Sequence, residues 1–346
     1  MQKVALGRST LTRIRSHEVT EASWEGVLQK LGIPYDIVNP YEFDFLDKID
    51  SYDAFIWHYE NYSNADVMEA QNIINMVEKK GLKVFPNNNT GWHFDDKIAE
   101  SYALSTVGAP TPKNWMFYDL EPCLLWLKNE AKYPLIAKLR RGSGSNNVKL
   151  LKNNKEAAAY AKKMFSKGFS PAQSLIYKTY SKVQSTRNMK MLIERAKKVP
   201  DFLKARKYGK GLPREKGYCY FQEFIPNAGY DMKVVVVGDK CSYLVRKTRK
   251  GSYKASGGGE LYYDNKVMNE NIIRSAFDTA DKLGMQCVGF DYVVDKKTGQ
   301  GLIIEMCYGF DFQAIYDCGG YWDRDFVWHK EAMNVPLEVI NNMSLS

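Results

Sequence analysis

The sequence lacks the patterns that mark several common classes of protein. Its six cysteines contain no CxxC pair, so they indicate neither a zinc cluster nor a disulfide framework. Its four histidines lie far apart and do not have the spacing of metal ligands or of a base beside a nucleophile. The first 111 residues contain no GxGxxG motif, which argues against a dinucleotide site. The sequence also lacks the GxxxxGK[ST] motif of a P-loop.

Long apolar runs are also missing. No run approaches the ~20 apolar residues of a membrane-spanning helix, and no apolar stretch follows the first residues. We therefore expect a soluble, cytoplasmic protein without a membrane span. With 346 residues, of which 45% are hydrophobic, the chain is long enough to form two or three lobes around a substantial core.

The net charge of +9 is concentrated in one segment. Residues 171–217 contain 13 lysines and arginines but only three acids. The charge therefore does not form a basic groove across the fold, and no RNA- or DNA-binding motif accompanies it, so we do not expect nucleic acid as a partner. Two interpretations stay open: a solvated insertion with a basic helix at 187–207, or a lid or docking surface for an anionic substrate.

Strands and helices alternate in the first 111 residues. Apolar spacing predicts strands at Lys3–Leu6, Tyr35–Val38, Ala54–Trp57 and Lys83–Phe85, and helices at Glu18–Leu31 and Ala65–Lys80. Such an order predicts a small, open parallel sheet, and sheets of this kind bind ligands beyond the carboxyl ends of their strands. Those ends are followed by polar residues at 8–13, 58–60 and 87–89.

A second lobe begins near Pro110. Its predicted strand Leu135–Lys138 ends on a lysine, and a glycine-rich turn follows after three residues. Because glycine tolerates positive φ, this turn can bring backbone N–H groups close to phosphate oxygens. The residues of the turn are Gly142, Ser143, Gly144 and Ser145.

Two acids stand on late strands of the stretch from Tyr220 to Asp311. The predicted strand Val288–Val294 contains Asp291, and the predicted strand Leu302–Met306 contains Glu305. A Lys-Thr-Gly turn lies between them, and a hairpin with that turn would set the two strands side by side. The two carboxylates would then face one space, which suits a hard divalent ion.

The order of these parts resembles the ATP-grasp superfamily, and most closely its RimK-type carboxylate–amine ligases, which are similar to glutathione synthetase. The resemblance spans residues 96–312 and includes a Gln-Glu-Phe-Ile segment, an Asp-x-Lys motif and a basic strand. It implies an ATP-grasp fold of the α/β class with α+β lobes. It implies an N-terminal open parallel α/β domain at 1–111, a small lobe with the basic insertion at 112–219, and a C-terminal lobe at 220–346.

The resemblance implies an ATP site. Lys97, near the start of a predicted helix at 95–107, would reach the nucleotide phosphates together with Lys138 and the glycine-rich turn. Asp231 would hold the ribose hydroxyls. The adenine would lie against backbone groups and apolar walls of the hinge residues Gln222, Glu223, Phe224 and Ile225.

The resemblance also implies the groups of the reacting centre. Arg246 would neutralise an acyl-phosphate with help from Lys138 and Lys233, and Lys233 lacks the forked guanidinium of the arginine common at this place in the family. Asp291 and Glu305 would hold Mg²⁺, with Mn²⁺ as a substitute. The family usually has Asn where this chain has Cys307, and a thiol is a poor ligand for Mg²⁺.

The implied activity is ATP-dependent amide bond formation between a carboxylate and an amine through an acyl-phosphate. We expect the acid to be a small amino-acid-like compound or a uronic acid of a polysaccharide precursor. Two alternatives stay open: a ligase that modifies peptides or proteins, and a non-catalytic nucleotide-binding regulator whose metal site has decayed at Cys307. The sequence leaves the amine and the oligomeric state open, a homo-oligomer included, and predicts an aromatic C-terminal cap or a sugar-stacking surface at 316–328.

Overall fold

Three β-sheets organise the chain in the computed structural model, which describes residues 2–8, 19–59, 64–142, 147–170, 213–248 and 260–345. Within these residues, a four-stranded parallel sheet is followed by a four-stranded and a seven-stranded sheet, both antiparallel. The mixed α/β class predicted from the sequence is confirmed. No helix in the described ranges is long and apolar enough to cross a membrane.

The N-terminal sheet consists of short parallel strands, as predicted. Its strands are β1 (Val4–Gly7), β2 (Tyr35–Val38), β3 (Ala54–Ile56) and β4 (Lys83–Phe85), and its helices are α1 (Trp24–Leu31), α2 (Phe45–Lys48), α3 (Asn64–Lys79) and α4 (Asn88–Gly91), with a 3₁₀ turn at Ile49–Ser51. The strand order is β2-β1-β3-β4. Helix α1 begins later than the predicted Glu18, because Ser23 Oγ accepts a hydrogen bond from Gly26 N at 3.1 Å and caps the helix there.

The middle of the chain forms a small lobe. Helix α5 (Lys97–Thr106) precedes it, and the lobe contains β5 (Asn114–Phe117), α6 (Leu120–Asn129), β6 (Leu135–Lys138), β7 (Val148–Leu151), α7 (Asn154–Met164) and β8 (Cys219–Glu223). The strand order is β5-β8-β6-β7, and Leu127, Tyr160 and Phe221 lie in its core. Since β8 belongs to this sheet, the chain passes to the next sheet at 224–226, a few residues beyond the lobe boundary expected at 219.

The C-terminal lobe is built on the largest sheet. Its elements are β9 (Asn227–Val237), β10 (Lys240–Lys247), β11 (Leu261–Tyr262), a 3₁₀ turn (Asn265–Val267), α8 (Glu270–Leu283), β12 (Val288–Asp295), β13 (Gly301–Cys307), α9 (Phe312–Tyr316), β14 (Tyr321–Trp322), β15 (Trp328–His329) and α10 (Val335–Asn342). The strand order is β13-β12-β9-β10-β14-β15, with β11 beside β10. Strand β13 therefore lies at one edge.

The N-terminal sheet and the C-terminal lobe share one hydrophobic core. Leu28 of α1, Phe85 of β4 and Val237 of β9 belong to the same cluster of buried residues. The alternate residues Val234 and Val236 of β9 point into a second cluster on the other face of the sheet. Burial on both faces explains why β9 reads as a continuous apolar run.

The aromatic residues near the C-terminus extend the large sheet. Trp322 and Trp328 lie on paired strands with ring centroids 4.4 Å apart, and Trp322 also contacts Tyr243 at 5.3 Å. Only 7% of Trp322 is exposed. This packing leaves the ring of Trp322 little surface for stacking on a sugar, and the role of the segment as a cap stays a prediction.

Gly309 provides a test of how the N-terminal domain is held against the end of β13. A Cβ atom added at this position would lie 2.8 Å from Cε2 of Phe94 and 3.1 Å from Nε2 of His58. We expect Gly309→Ala to lower the free energy of unfolding by about 1–3 kcal/mol, because the two rings must move. Urea denaturation measures the change, and Lys128→Ala on the exposed face of α6 is the control. Equal stability of the two variants would contradict the prediction.

Candidate active site

The β12–β13 hairpin places two acids side by side. Asp291 and Glu305 are direct cross-strand partners, with a β-bulge immediately after Asp291. The hairpin and the pairing of these acids agree with the sequence prediction. The chain turns between the strands at 296–300, where Gly299 has a φ of 71° that favours glycine.

Two cations from neighbouring strands bind Asp291. Lys233 is the cross-strand partner of Asp291, and its Nζ lies 2.6 Å from Asp291 Oδ1. The guanidinium of Arg246 lies 3.1 Å from the same oxygen, and its Nε lies 2.6 Å from Asp231 Oδ1. The sheet therefore brings four of the predicted residues into one buried charge cluster.

The pKa values of these acids reflect burial and the two cations. Burial acts to raise the pKa of Asp291, but Arg246 and Lys233 outweigh it and hold that pKa below its usual range. Burial raises the pKa of Asp231 to about 6, although Arg246 acts in the opposite direction. Asp231 thus contacts Arg246 in this structure, and its role toward a ribose stays a prediction.

Helix α5 brings Lys97 to Glu305. Asp96 caps the helix by accepting from Ile98 N and Ala99 N, and Lys97 is the first helical residue. Lys97 Nζ lies 3.3 Å from Glu305 Oε1 and donates to the carbonyl oxygen of Gly142 at 2.8 Å. Burial acts to lower the pKa of Lys97, but nearby acids, Glu305 foremost, hold that pKa above its usual range.

Lys138 reaches the same place from the small lobe. Its Nζ donates to the carbonyl oxygen of Ile304 at 2.8 Å, and 3% of the residue is exposed. Burial lowers the pKa of Lys138 to about 8, and the positive charge of Lys97 acts in the same direction. A rise in pH of about one unit above neutral therefore deprotonates much of Lys138, whereas Lys97 stays protonated.

The start of the glycine-rich turn is anchored beside this cluster. Gly142 N donates to Asp95 Oδ1 at 2.9 Å, and Gly142 has a φ of 114°. A Cβ atom there would lie 2.2 Å from Asn147 Nδ2, so the turn requires glycine at this position. The predicted residues Ser143, Gly144 and Ser145 lie outside the described residues.

The hinge segment connects the two antiparallel sheets. Gln222 is buried and donates from Nε2 to Asn114 Oδ1 at 2.9 Å, while Glu223 is exposed. Phe224 and Ile225 are half-buried between β8 and β9. The contact of this segment with adenine stays a prediction.

The two carboxylates fit one hard divalent ion whose other ligands would come from a nucleotide and from water. Asp291 and Glu305 supply two carboxylates on adjacent strands, and Mg²⁺ commonly takes one or two carboxylates together with phosphate oxygens and water. No group of three metal-binding side chains occurs among the described residues. Cys307 Sγ instead lies 3.8 Å from Lys233 Nζ, and burial raises the pKa of this thiol to about 11, so it is neutral at physiological pH.

One buried acid of the cluster was not among the residues predicted from the sequence. Glu100 lies on α5, is 3% exposed, and accepts from Met306 N at 3.3 Å. Burial raises its pKa well above the usual range, although Lys97 acts to lower it. The spacing of Lys97 and Glu100, three residues apart at a helix start, is the signal that places both on one face.

The fold is similar to those of several solved structures. A RimK-domain ATP-grasp protein from Sphaerobacter thermophilus matches over 99% of both chains, with a TM-score of 0.54 and 14% identity. The D-alanine–D-alanine ligase of Bacillus anthracis matches over 89% of this chain and 86% of its own, with a TM-score of 0.56 and 13% identity. The predicted ATP-grasp fold is thus confirmed.

Sequence comparison adds a distant curated relative. The alpha-aminoadipate–LysW ligase LysX of Saccharolobus solfataricus is 22% identical over 225 residues. The match spans 65% of this chain and 65% of the length of that curated relative. No protein-family model matches the chain.

The lowered pKa of Lys138 predicts a pH dependence of nucleotide binding. Phosphate oxygens favour the charged amine, so binding should weaken as the pH rises through about 8, and be roughly tenfold weaker at pH 9 than at pH 7. Calorimetric titration with a non-hydrolysable ATP analogue measures the profile. Lys138→Arg keeps its charge throughout this range and should flatten the profile. The same slope in the wild type and in Lys138→Arg would contradict the assignment to Lys138.

Proposed function

We propose that this protein is an ATP- and Mg²⁺-dependent carboxylate–amine ligase that forms an amide through an acyl-phosphate. The observation that carries the proposal is the convergence of Lys97 and Lys138, from two different elements, on the strand that holds Glu305. Two buried amines beside a pair of carboxylates form a site for a metal-bound polyphosphate. The structure of the B. anthracis D-alanine–D-alanine ligase with ATP, which this fold resembles with a TM-score of 0.51, supports a nucleotide here.

The buried cations would act on the phosphates. In a site of low dielectric, Lys97 and Lys138 stabilise negative charge more strongly than they would in water. Asp291 and Glu305 would hold the magnesium ion, which when bound neutralises phosphate charge. The glycine-rich turn, which begins at Gly142, would place backbone N–H groups against the phosphates.

The reaction itself needs no nucleophilic side chain. A carboxylate oxygen of the substrate attacks the γ-phosphorus, the bond to the β-phosphate oxygen breaks, and ADP leaves. The amine then attacks the carbonyl carbon, the bond to phosphate breaks, and phosphate leaves while the amine loses a proton. Arg246 and Lys233 lie on the sheet face beside Asp291, where they would stabilise the acyl-phosphate and the tetrahedral intermediate that follows it.

An amino-acid-like acid is the substrate class that we favour. The names of the relatives supply the support, since one is an alpha-aminoadipate ligase and another a D-alanine–D-alanine ligase. A third structure with this fold, D-cycloserine synthetase, matches over 99% of this chain with a TM-score of 0.57 and 10% identity. A uronic acid stays the second possibility for the acid.

Metal-dependent nucleotide binding tests the site. We expect Glu305→Gln to weaken binding of an ATP analogue with Mg²⁺ about 10- to 100-fold, because removal of a charged partner costs about 1.5–3 kcal/mol. Without Mg²⁺ the effect should be smaller. Calorimetry with and without the metal measures both values. Glu338→Gln is a matched control, since Glu338 also pairs with a lysine, Lys240 at 2.7 Å, outside the site. Metal-independent binding by the wild type would contradict the proposal.

Substitution of Cys307 distinguishes an active ligase from a protein whose metal site has decayed. A functional site with two carboxylate ligands predicts that the wild type releases ADP from ATP with suitable acids and amines. Cys307→Asn should then change turnover by less than about tenfold, since the added oxygen ligand is offset by loss of the thiol beside Lys233. A coupled ADP assay over a panel of amino acids measures this, with Cys318→Ser as control. Turnover that occurs only in Cys307→Asn would favour the non-catalytic regulator.

A ligase that modifies peptides is the second candidate, because the chain carries a basic segment at 171–217. The segment leaves and re-enters the small lobe at one point. Phe169 N donates to Glu215 O, and Glu215 N donates to Phe169 O, both at 2.9 Å. A short linker in place of 171–212 should therefore leave the lobe folded. Loss of acidic peptide binding with retained ATP binding would support this candidate.

A further inference from the structure

Strand β13 is an edge strand whose outer backbone groups are bound by groups from outside the sheet. Ile303 N donates to the carbonyl oxygen of Pro110 at 2.7 Å. Lys138 Nζ donates to Ile304 O at 2.8 Å, and Met306 N donates to Glu100 Oε2 at 3.3 Å. The backbone on both sides of Glu305 is therefore held in place by side chains of the small lobe and of α5.

Glu100 is unusual for an acid in the first turn of a helix. Such acids usually lie in solvent, where they interact with the helix dipole, as Glu121 does at the exposed start of α6. Glu100 is instead 3% exposed, and acids are buried to this degree mainly when they have partners. Its hydrogen-bond partner is the backbone N–H of Met306, the residue after Glu305.

The need of Lys97 for an acidic partner does not by itself explain why an acid is buried at position 100. Lys97 Nζ already has Glu305 Oε1 at 3.3 Å and the carbonyl oxygen of Gly142 at 2.8 Å. The N–H of Met306, in contrast, faces away from β12 at the sheet edge, and an edge N–H that is covered from water needs an acceptor. A glutamate on α5 supplies that acceptor.

We infer that Glu100 is a positioning residue of the proposed ligase, which holds Met306 N–H and thereby sets the direction in which Glu305 presents its carboxylate. The inference rests on the proposed function, because Glu305 is there a magnesium ligand. The hydrogen bond from Met306 N–H depends on the length and the acceptor oxygen of the Glu100 side chain, and not on its charge. Residues that orient a metal ligand typically change metal affinity when they are replaced.

Two substitutions distinguish the effect of side-chain length at Glu100 from the effect of its charge. Glu100→Gln keeps the length and an acceptor oxygen and removes the charge, whereas Glu100→Asp keeps the charge and is one methylene shorter. We expect Glu100→Asp to weaken Mn²⁺ binding to the complex with a non-hydrolysable ATP analogue about 10- to 100-fold. Glu100→Gln should bind Mn²⁺ nearly as the wild type does, and nucleotide affinity without metal should change little in both. Electron paramagnetic resonance of free Mn²⁺ measures the affinity, with Glu121→Gln as control.

The outcomes that overturn the inference are distinct. Wild-type Mn²⁺ affinity in Glu100→Asp, or a weaker site in Glu100→Gln than in Glu100→Asp, would overturn it. Amide hydrogen exchange at Met306 in the ligand-free chain gives a readout that needs no metal. Exchange should be faster in Glu100→Asp than in Glu100→Gln, and equal rates would also overturn the inference. A wild type that binds nucleotide without any metal dependence would instead contradict the proposed function, and the exchange rates would still show whether Glu100 holds β13.

Discussion

The carboxylate of Asp291 is the charge on which the rest of the candidate site depends. It lies between Lys233 and Arg246, and all three are largely withdrawn from water. An isolated buried charge costs several kcal/mol, so Lys233 and this acid need each other, while Arg246 is shared between this acid and Asp231. Lys233 is directly opposite Asp291, and Arg246 lies on β10 two residues beyond the position opposite Lys233, so the pairing of β9, β10 and β12 determines the electrostatics directly.

A second pair of cations lies at the edge of the same sheet and behaves differently. Lys97 is surrounded by acids and keeps its proton, whereas Lys138 has a carbonyl oxygen as its hydrogen-bond partner and a lowered pKa. The difference follows from the close pair of Lys97 with Glu305 and from the repulsion of Lys138 by Lys97, and not from depth, since each residue is 3% exposed. An anion that enters the site would interact with Lys97, which is already charged, and would favour protonation of Lys138.

Most of the fold could be predicted from the sequence because local patterns determine it. The Lys-Thr-Gly turn and the alternation around Asp291 and Glu305 are short-range signals, and they predict the hairpin correctly. The contact between Lys138 and the carbonyl oxygen of Ile304 could not be predicted, because it depends on how two lobes approach each other. Glu100 was missed for a related reason: an acid in a helical first turn is usually solvated, and only the edge of β13 above it makes this one different.

The contacts that build the candidate site join distant parts of the chain. Glu100 and Met306 are 206 residues apart in sequence, and Lys138 and Ile304 are 166 apart. Contacts of such long range form late in folding, because a long loop must close first. During synthesis, the four strands of the N-terminal sheet emerge before β13, and the amines of α5 and β6 then lack the strand that they will bind. A ribosome-bound chain that stops short of β13 therefore lacks Glu305 and the carbonyl oxygen that Lys138 binds, so the site cannot assemble before β13 has emerged.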